Sequence, residues 1–199
     1  MKSKSIVDIV ATAISQVTQP PLVVGFFFVF LMFYFAPDFA TGLSWCIIAI
    51  SLIGLAPTIF TLFAVKLGHI KNVLLTRRQD RSSPFLIATL GAIVTFIIFY
   101  RLSVPAEVLV FLITLILILI VILIINLYWK ISVHATTITV VAVATNIFAD
   151  YRLWYLFLLI PIVCWSRVYR KRHTVAQVVA GTLLNGIIVY ITFNLFGVS

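Results

Sequence analysis

The chain contains seven long apolar stretches, and this pattern constrains its fold more than any other feature. They lie at residues 20–37, 43–65, 84–101, 105–128, 132–149, 152–165 and 174–197. A helix that spans a bilayer needs about 20 predominantly apolar residues, and the sixth stretch is short enough to be tilted or partly re-entrant. Only 10% of the residues are charged, against about 25% in soluble domains. The chain is therefore predicted to be an integral membrane protein.

We predict an all-α, polytopic membrane helical bundle with six or seven transmembrane helices. Residues 1–19 are predicted to be an N-terminal interfacial segment, because residues 6–19 combine apolar side chains with Ser, Thr and Gln and carry few charges. No small-residue cleavage site follows a short apolar core, so no signal peptide is predicted. Cys46 and Cys164 lie inside apolar stretches without metal-ligand spacing. Neither a disulfide nor a metal site is predicted from them.

Basic residues are distributed unevenly between the two sides of the predicted bundle. Turns near 37–42, 103–105 and 149–152 fall on one side. The N terminus, the loop at 66–83, the link at 129–130 and the turn at 167–172 fall on the other, with 12 of the 14 Lys and Arg residues. Eight remain against two when the candidate phosphate-binding cations are left out, namely Lys71, Arg78, Arg81 and Arg167. Because Lys and Arg accumulate in cytoplasmic loops, we predict a cytoplasmic N terminus and plasma (inner) membrane location.

Three short motifs lie on this basic side of the bundle. They consist of cationic, hydroxyl and imidazole residues: Lys71 with Arg78 and Arg81, Ser132 with His134, and Ser166 with Arg167 and His173. Arg and Lys match the oxygens of a phosphate group, and histidine can act as a nucleophile or as a general acid and base. The motifs together predict a phosphoryl-transfer site on the cytoplasmic face.

The order and spacing of these motifs resemble the type-2 phosphatidic acid phosphatase superfamily, which includes lipid phosphatases and vanadium-dependent haloperoxidases. The resemblance covers about residues 66–181, and it is closest to the bacterial branch with an Arg-x-x-Arg-x-x-Pro-Phe loop, here residues 78–85. It implies that residues 20–199 form a transmembrane phosphatase-like domain. It also implies a metal-independent phosphatase without cofactors, acting on a phosphomonoester or pyrophosphate lipid such as an isoprenoid pyrophosphate or a phosphatidate-type lipid.

The resemblance assigns a role to each motif residue. His173 would attack phosphorus to give a phosphohistidine, and His134 would protonate the leaving oxygen and later activate water. Gln177 stands where the family has an aspartate that orients the nucleophilic histidine. The phosphate would be bound by the remaining motif residues: Lys71, Arg78, Arg81, Ser132, Ser166 and Arg167.

The loop at residues 66–83, called the basic loop below, departs from the family pattern at one position. Gln79 replaces the proline that follows the arginine of the first motif. This change leaves two alternatives for the phosphate clamp. It is formed either by Lys71 with Arg78 or by Arg78 with Arg81.

Two other departures motivate an alternative function. Ile131 and Val133 replace the proline and glycine around Ser132, and Gln177 can accept a ring N–H but adds no charge. The alternative is a catalytically impaired relative that acts as a binding or structural subunit of a membrane complex. A phosphatase should bring His134, His173 and Arg167 together, whereas a scaffold need not.

The predicted partners follow from the same features. We expect a lipid phosphate substrate, contacts with membrane lipids, and a homo-oligomer or a membrane complex, and we expect no nucleic acid partner. A lipid transporter is the least favoured function, because the chain shows no inverted repeat and no paired broken helices.

Overall fold

The computed structural model describes residues 5–73 and 75–198, and within these ranges all regular secondary structure is helical. This confirms the predicted all-α class. The α-helices are α1 (Ile6–Val17), α2 (Pro20–Phe35), α3 (Phe39–Ala49), α4 (Ala56–Lys66), α5 (Ser82–Arg101), α6 (Ala106–Tyr128), α7 (Val133–Phe148), α8 (Leu159–Tyr169) and α9 (Val175–Leu195). A π-helical segment, Ile50–Leu55, joins α3 to α4, and the 3₁₀ helices Gln79–Arg81 and Trp154–Leu158 precede α5 and α8.

Among the described residues, four helical segments are long and apolar enough to cross a membrane. They are Phe39–Lys66, Gln79–Arg101, Ala106–Tyr128 and Val175–Leu195. A fifth is obtained if Ile6–Val17 and Pro20–Phe35 together form one broken span. The apolar helices Val133–Phe148 and Trp154–Tyr169 are shorter. These helices are compatible with an integral membrane protein with four or five spans by length and composition.

The chain forms two compact units. The first unit combines the chain up to Val24 with the chain from Ile131 onward, and it contains α1, α7, α8 and α9. The second unit, Gly25–Lys130, contains most of α2 and all of α3, α4, α5 and α6. The motif residues divide accordingly, because both motif histidines lie in the first unit and the 66–83 loop lies in the second.

Helix α9 of the first unit is apolar on its outside and partly polar on its buried side. Its buried residues are Val178, Gly181, Asn185, Val189, Thr192 and Phe193, whereas its exposed residues include Val179, Leu183, Ile187, Tyr190 and Ile191. A helix in water shows the opposite distribution. Small and polar residues facing neighbouring helices, with apolar residues outside, are typical of helices in lipid.

In the second unit, α5 approaches the π-helical segment very closely. A Cβ atom added to Gly91 would lie 2.1 Å from the carbonyl oxygen of Leu52, so only glycine permits this contact. Buried threonines on α5 donate their hydroxyl hydrogens to carbonyls four residues earlier, as in Thr89 to Phe85 (2.7 Å) and Thr95 to Gly91 (2.8 Å). These bonds satisfy polar groups that have no access to water.

Candidate functional site

His173 lies in the turn between α8 and α9, and only 7% of its surface is exposed. Its Nδ1 atom lies 3.0 Å from Oε1 of Gln177, and the same Oε1 accepts a hydrogen bond of 3.3 Å from the backbone N–H of Thr174. A backbone N–H can only donate, so this atom of Gln177 is the amide oxygen and not the amide nitrogen. In the neutral imidazole the ring hydrogen therefore lies on Nδ1, and Nε2 carries the lone pair.

The N terminus of α9 explains why Gln177 is held in this position. Thr174 is the N-cap residue, and its Oγ1 accepts a hydrogen bond of 3.3 Å from the backbone N–H of Gln177. The reciprocal bond from Thr174 to Gln177 completes a capping box, which satisfies N–H groups that a helix terminus leaves without partners. A single side chain thus caps the helix and orients the imidazole of His173.

The start of α7 is bound to the same part of α9. The backbone N–H of the buried Ser132 donates to the carbonyl oxygen of Gln177 (3.3 Å), and Ser132 Oγ caps α7 by accepting from Ala135 N–H (3.4 Å). His134 lies in the first turn of α7 and is partly exposed. A Cβ atom added to Gly181 would lie 3.0 Å from the carbonyl oxygen of Ser132. Glycine at this position therefore allows the two helices to approach.

Ser166 and Arg167 lie near the C-terminal end of α8 and contact α1. Ser166 is fully buried, and its hydroxyl donates a hydrogen bond of 2.7 Å to the carbonyl oxygen of Ala11. The guanidinium of Arg167 donates to Oγ of Ser15. The hydrogen of the Ser166 hydroxyl is used in the bond to Ala11, so the predicted donation to phosphate would require an exchange of partners.

Four residues of the first unit form one connected hydrogen-bond network: Ser132, Arg167, His173 and Gln177. The backbone N–H of His173 donates to the carbonyl oxygen of Arg167 (3.4 Å), and the His173 ring contacts Gln177. The Gln177 carbonyl in turn accepts from Ser132, two residues before His134. The structure thus connects Ser132 of the second motif to His173 and Arg167 of the third motif through Gln177 of α9.

In the second unit, Arg78 is bound to the C-terminal end of α6. Its guanidinium donates to the carbonyl oxygen of Leu127. Asn126 Nδ2 returns a hydrogen bond of 3.0 Å to the carbonyl oxygen of Arg78 and lies 3.3 Å from Ser82 Oγ. This reciprocal pair of bonds holds the basic loop against α6.

The other two cations of the predicted phosphate clamps, Arg81 and Lys71, differ in their contacts. Arg81 Nε donates to the carbonyl oxygen of Leu75 (2.8 Å), a residue with a positive φ of 49°. Lys71 is exposed, and its backbone N–H lies 3.3 Å from Oδ2 of Asp80. Both arginines thus have structural contacts within the second unit. The choice between the two predicted phosphate clamps stays a prediction.

Sequence reasoning overlooked two residues of the first-unit network. Thr174 could have been found, because Thr-x-x-Gln at positions 174–177 is a capping-box pattern that precedes an apolar run. Ser15 could not, because it lies 152 residues from Arg167 in the chain and no local pattern connects them.

The network has the elements of phosphoryl-transfer chemistry. A buried imidazole with a defined tautomer can act as a nucleophile through Nε2. The nearby Arg167 supplies the type of cation that binds phosphate oxygens. Comparisons of the chain with models of protein families, with curated proteins and with solved structures find no match.

Proposed function

We propose that this protein is an integral membrane lipid phosphatase that hydrolyses a phosphomonoester or a pyrophosphate through a phosphohistidine on His173. The observation that carries the proposal is the 3.0 Å contact between His173 Nδ1 and Gln177 Oε1, which directs the lone pair to Nε2. A lipid substrate is supported by the apolar helices, since an acyl or isoprenoid tail can stay in the bilayer while its headgroup meets the basic turn, residues 167–173. Isoprenoid pyrophosphates and phosphatidate-type lipids are the proposed substrate classes.

The proposed reaction has two steps. In the first, His173 Nε2 forms a bond to phosphorus while the bond from phosphorus to the leaving oxygen breaks, and His134 donates a proton to that oxygen. In the second, water attacks the phosphohistidine, His134 accepts the proton of the water, and phosphate leaves Nε2. A positioned acid and base of this kind contributes about 10²–10⁴-fold to the rate.

Arg167 stabilises the charge that spreads over the phosphate oxygens during both steps. It is the proposed charged ligand, together with Ser132 and Ser166. Lys71, Arg78 and Arg81 of the basic loop stay predictions from the sequence and are not part of this proposal. No metal or cofactor is part of the proposal.

Gln177 replaces a charged partner with a neutral one. The imidazole ring becomes cationic when Nε2 is phosphorylated and Nδ1 keeps its hydrogen. A carboxylate would stabilise this cation by its full charge, whereas the amide oxygen of Gln177 offers only the negative end of a dipole. We therefore expect a correctly oriented but slow nucleophile.

The proposal includes six or seven transmembrane helices, with the N terminus and the site on the cytoplasmic side of the plasma membrane. The two shorter apolar helices, Val133–Phe148 and Trp154–Tyr169, would cross in addition to the longer spans. The excess of Lys and Arg on the motif side supports this orientation. Membrane lipids and a homo-oligomer or larger membrane complex are the proposed partners.

A second candidate function is a catalytically impaired subunit of a membrane complex. Specific contacts favour it, because Ser166 and Arg167 both bind α1 through Ala11 and Ser15. In that case the third motif would hold α8 against α1. The neutral side chain of Gln177 would not impair the function, because the subunit would catalyse no reaction.

The deciding experiment measures phosphate release from a panel of lipid phosphates and pyrophosphates by the purified protein in detergent, with and without chelator. A substrate labelled with ³²P in the transferred group should leave acid-labile, base-stable label on the protein after a rapid quench. The label should be absent from His173→Ala. Absence of release from every lipid, with no trapped label, would favour the non-catalytic subunit.

A further inference from the structure

Helix α1 is attached to the part of α8 that carries the third motif. Three side-chain hydrogen bonds connect the helices: Ser166 Oγ to the Ala11 carbonyl (2.7 Å), the Arg167 guanidinium to Ser15 Oγ, and Tyr169 OH to Asp8 Oδ1 (3.0 Å). Positions 8, 11 and 15 follow helical spacing and lie on one face of α1. This face therefore meets the last turn of α8 along most of the length of α1.

Ser15 is the α1 side chain that contacts the cation of the proposed site. It is buried, with only 3% of its surface exposed. Its hydroxyl oxygen accepts from a guanidinium N–H of Arg167. A hydrogen bond from a charged donor to a buried acceptor is stronger than one between neutral groups, so this contact restricts the orientation of the arginine.

We propose that Ser15 is a positioning residue for Arg167, and that α1 thereby sets the phosphate affinity of the site. The inference rests on the proposed function, in which Arg167 binds the phosphate group. A long arginine side chain that is ordered before the ligand arrives loses less conformational entropy on binding. It also presents its planar guanidinium in one orientation, which the geometry of phosphate oxygens requires.

The test uses the full-length protein in detergent and measures two quantities, the Kd for inorganic phosphate and the kcat and KM for the best lipid substrate. Ser15→Ala should raise the phosphate Kd by about tenfold, the effect of losing one hydrogen bond to a charged group. Ser15→Thr keeps the hydroxyl and should restore the Kd to within about threefold of the wild-type value. The KM should rise with the Kd, because the contact acts on phosphate binding before the chemical step.

Thr18→Ala is the matched control. Thr18 lies just after α1, and its hydroxyl donates to the carbonyl of Ile14 within the same helix end. The control therefore loses one hydrogen bond at the end of α1 while the bonds from α8 to Ala11, Ser15 and Asp8 stay in place, and its phosphate Kd should equal that of the wild type. Equal Kd values for Thr18→Ala and Ser15→Ala would overturn the inference.

A double-mutant cycle separates positioning of Arg167 from a general effect on folding. In an Arg167→Ala background, Ser15→Ala should cause no further change in phosphate Kd, because the partner that Ser15 orients is already absent. A full tenfold effect in that background would contradict the inference, as would a wild type that does not bind phosphate. If phosphate binds with this pattern but no lipid is hydrolysed, the positioning role stands and the proposed phosphatase activity fails.

Discussion

The two basic regions of the molecule hold their arginines in different ways. In the basic turn, residues 167–173, Arg167 is bound by the side chain of Ser15, and a buried histidine follows six residues later. In the basic loop, residues 66–83, Arg78 and Arg81 donate to the backbone carbonyls of Leu127 and Leu75. The histidine of the loop, His69, is exposed.

This difference shows that positive charge alone does not identify a phosphate site. The loop contains five Lys and Arg residues and the turn contains four, so both would satisfy the positive-inside rule. In the loop, the arginine contacts hold a segment against the end of α6. In the turn, the backbone of Arg167 accepts a hydrogen bond from His173, and the His173 ring contacts Gln177 at the N terminus of α9. The turn is therefore the stronger candidate for chemistry.

The largest expected effect comes from comparing the two histidines. His173→Ala should lower phosphate release by at least about 10³-fold, because it removes the proposed nucleophile. His69→Ala should leave the rate within about twofold, since an exposed residue of the loop has no proposed role in the chemistry. Steady-state rates of both variants, with circular dichroism to confirm folding, test the contrast. Equal rates for the two variants would remove the distinction between turn and loop.

The next effect in size concerns the two arginines. Arg167→Gln should lower kcat/KM by about 10²-fold, the typical loss on removing one charge-stabilising donor. Arg78→Gln should mainly lower the free energy of unfolding, by about 1–2 kcal/mol, because the Leu127 carbonyl loses a charged donor. Kinetics and chemical denaturation of each variant measure the two quantities. A loss of activity in Arg78→Gln as large as that in Arg167→Gln would place the loop in the site as well.

A smaller effect is expected from the charge of residue 177. Gln177→Glu keeps the length of the side chain and the capping-box pattern, and it adds the negative charge that stabilises a cationic ring. We expect kcat to rise by about three- to tenfold, and Gln177→Met, which lacks the acceptor, to lower it by about tenfold. Pre-steady-state measurement of phosphohistidine formation reports this step directly. Identical rates in all three proteins would show that Gln177 does not orient the histidine.

The smallest effect is expected outside both basic regions, at the N-cap of α3. Hydrogen bonds from the Thr41 backbone N–H and hydroxyl lower the pKa of the Asp38 carboxyl. Its stabilising contribution is therefore present above the unfolded-state pKa of about 3.9 and is lost as the pH falls through the lower folded-state value.

Asp38→Asn is a control outside both basic regions, against which the activity losses of the other variants are compared. Asparagine also caps helices well but does not titrate. The wild type should lose thermal stability relative to this variant below about pH 4, and the two should have equal phosphatase rates at pH 7. Parallel stability curves from pH 3 to pH 7 would contradict the assignment of Asp38 as a titrating cap.

Several contacts of the site join residues that are close in the chain, so they could be predicted from the sequence. The His173 and Gln177 pair is separated by four positions, and Thr174 and Gln177 by three, so both contacts lie within one helical turn. The seven apolar stretches all correspond to helices in the described residues. The number of membrane crossings is harder to predict from the sequence, because α7 and the helix Trp154–Tyr169 are apolar but shorter than the other spans.

Other features depend on which helices pack together. The contact of Arg167 with Ser15 joins residues 152 positions apart, and that of Ser166 with Ala11 joins residues 155 apart. Gly91 meets Leu52 only because α5 packs on the π-helical segment. Apolar periodicity indicates that a helix buries one face, but it does not specify the partner of that face.

The sequence by itself determined that this chain is helical and apolar enough for a membrane, and it determined the residue types of the candidate site. The physical reason is that helix formation, capping and contacts one turn apart depend on residues close in the chain. Only the tertiary structure decided that Ser132 binds the Gln177 backbone and that α1 holds Arg167. Those contacts exist because whole helix faces pack together, and side chains distant in sequence meet only after that packing is formed.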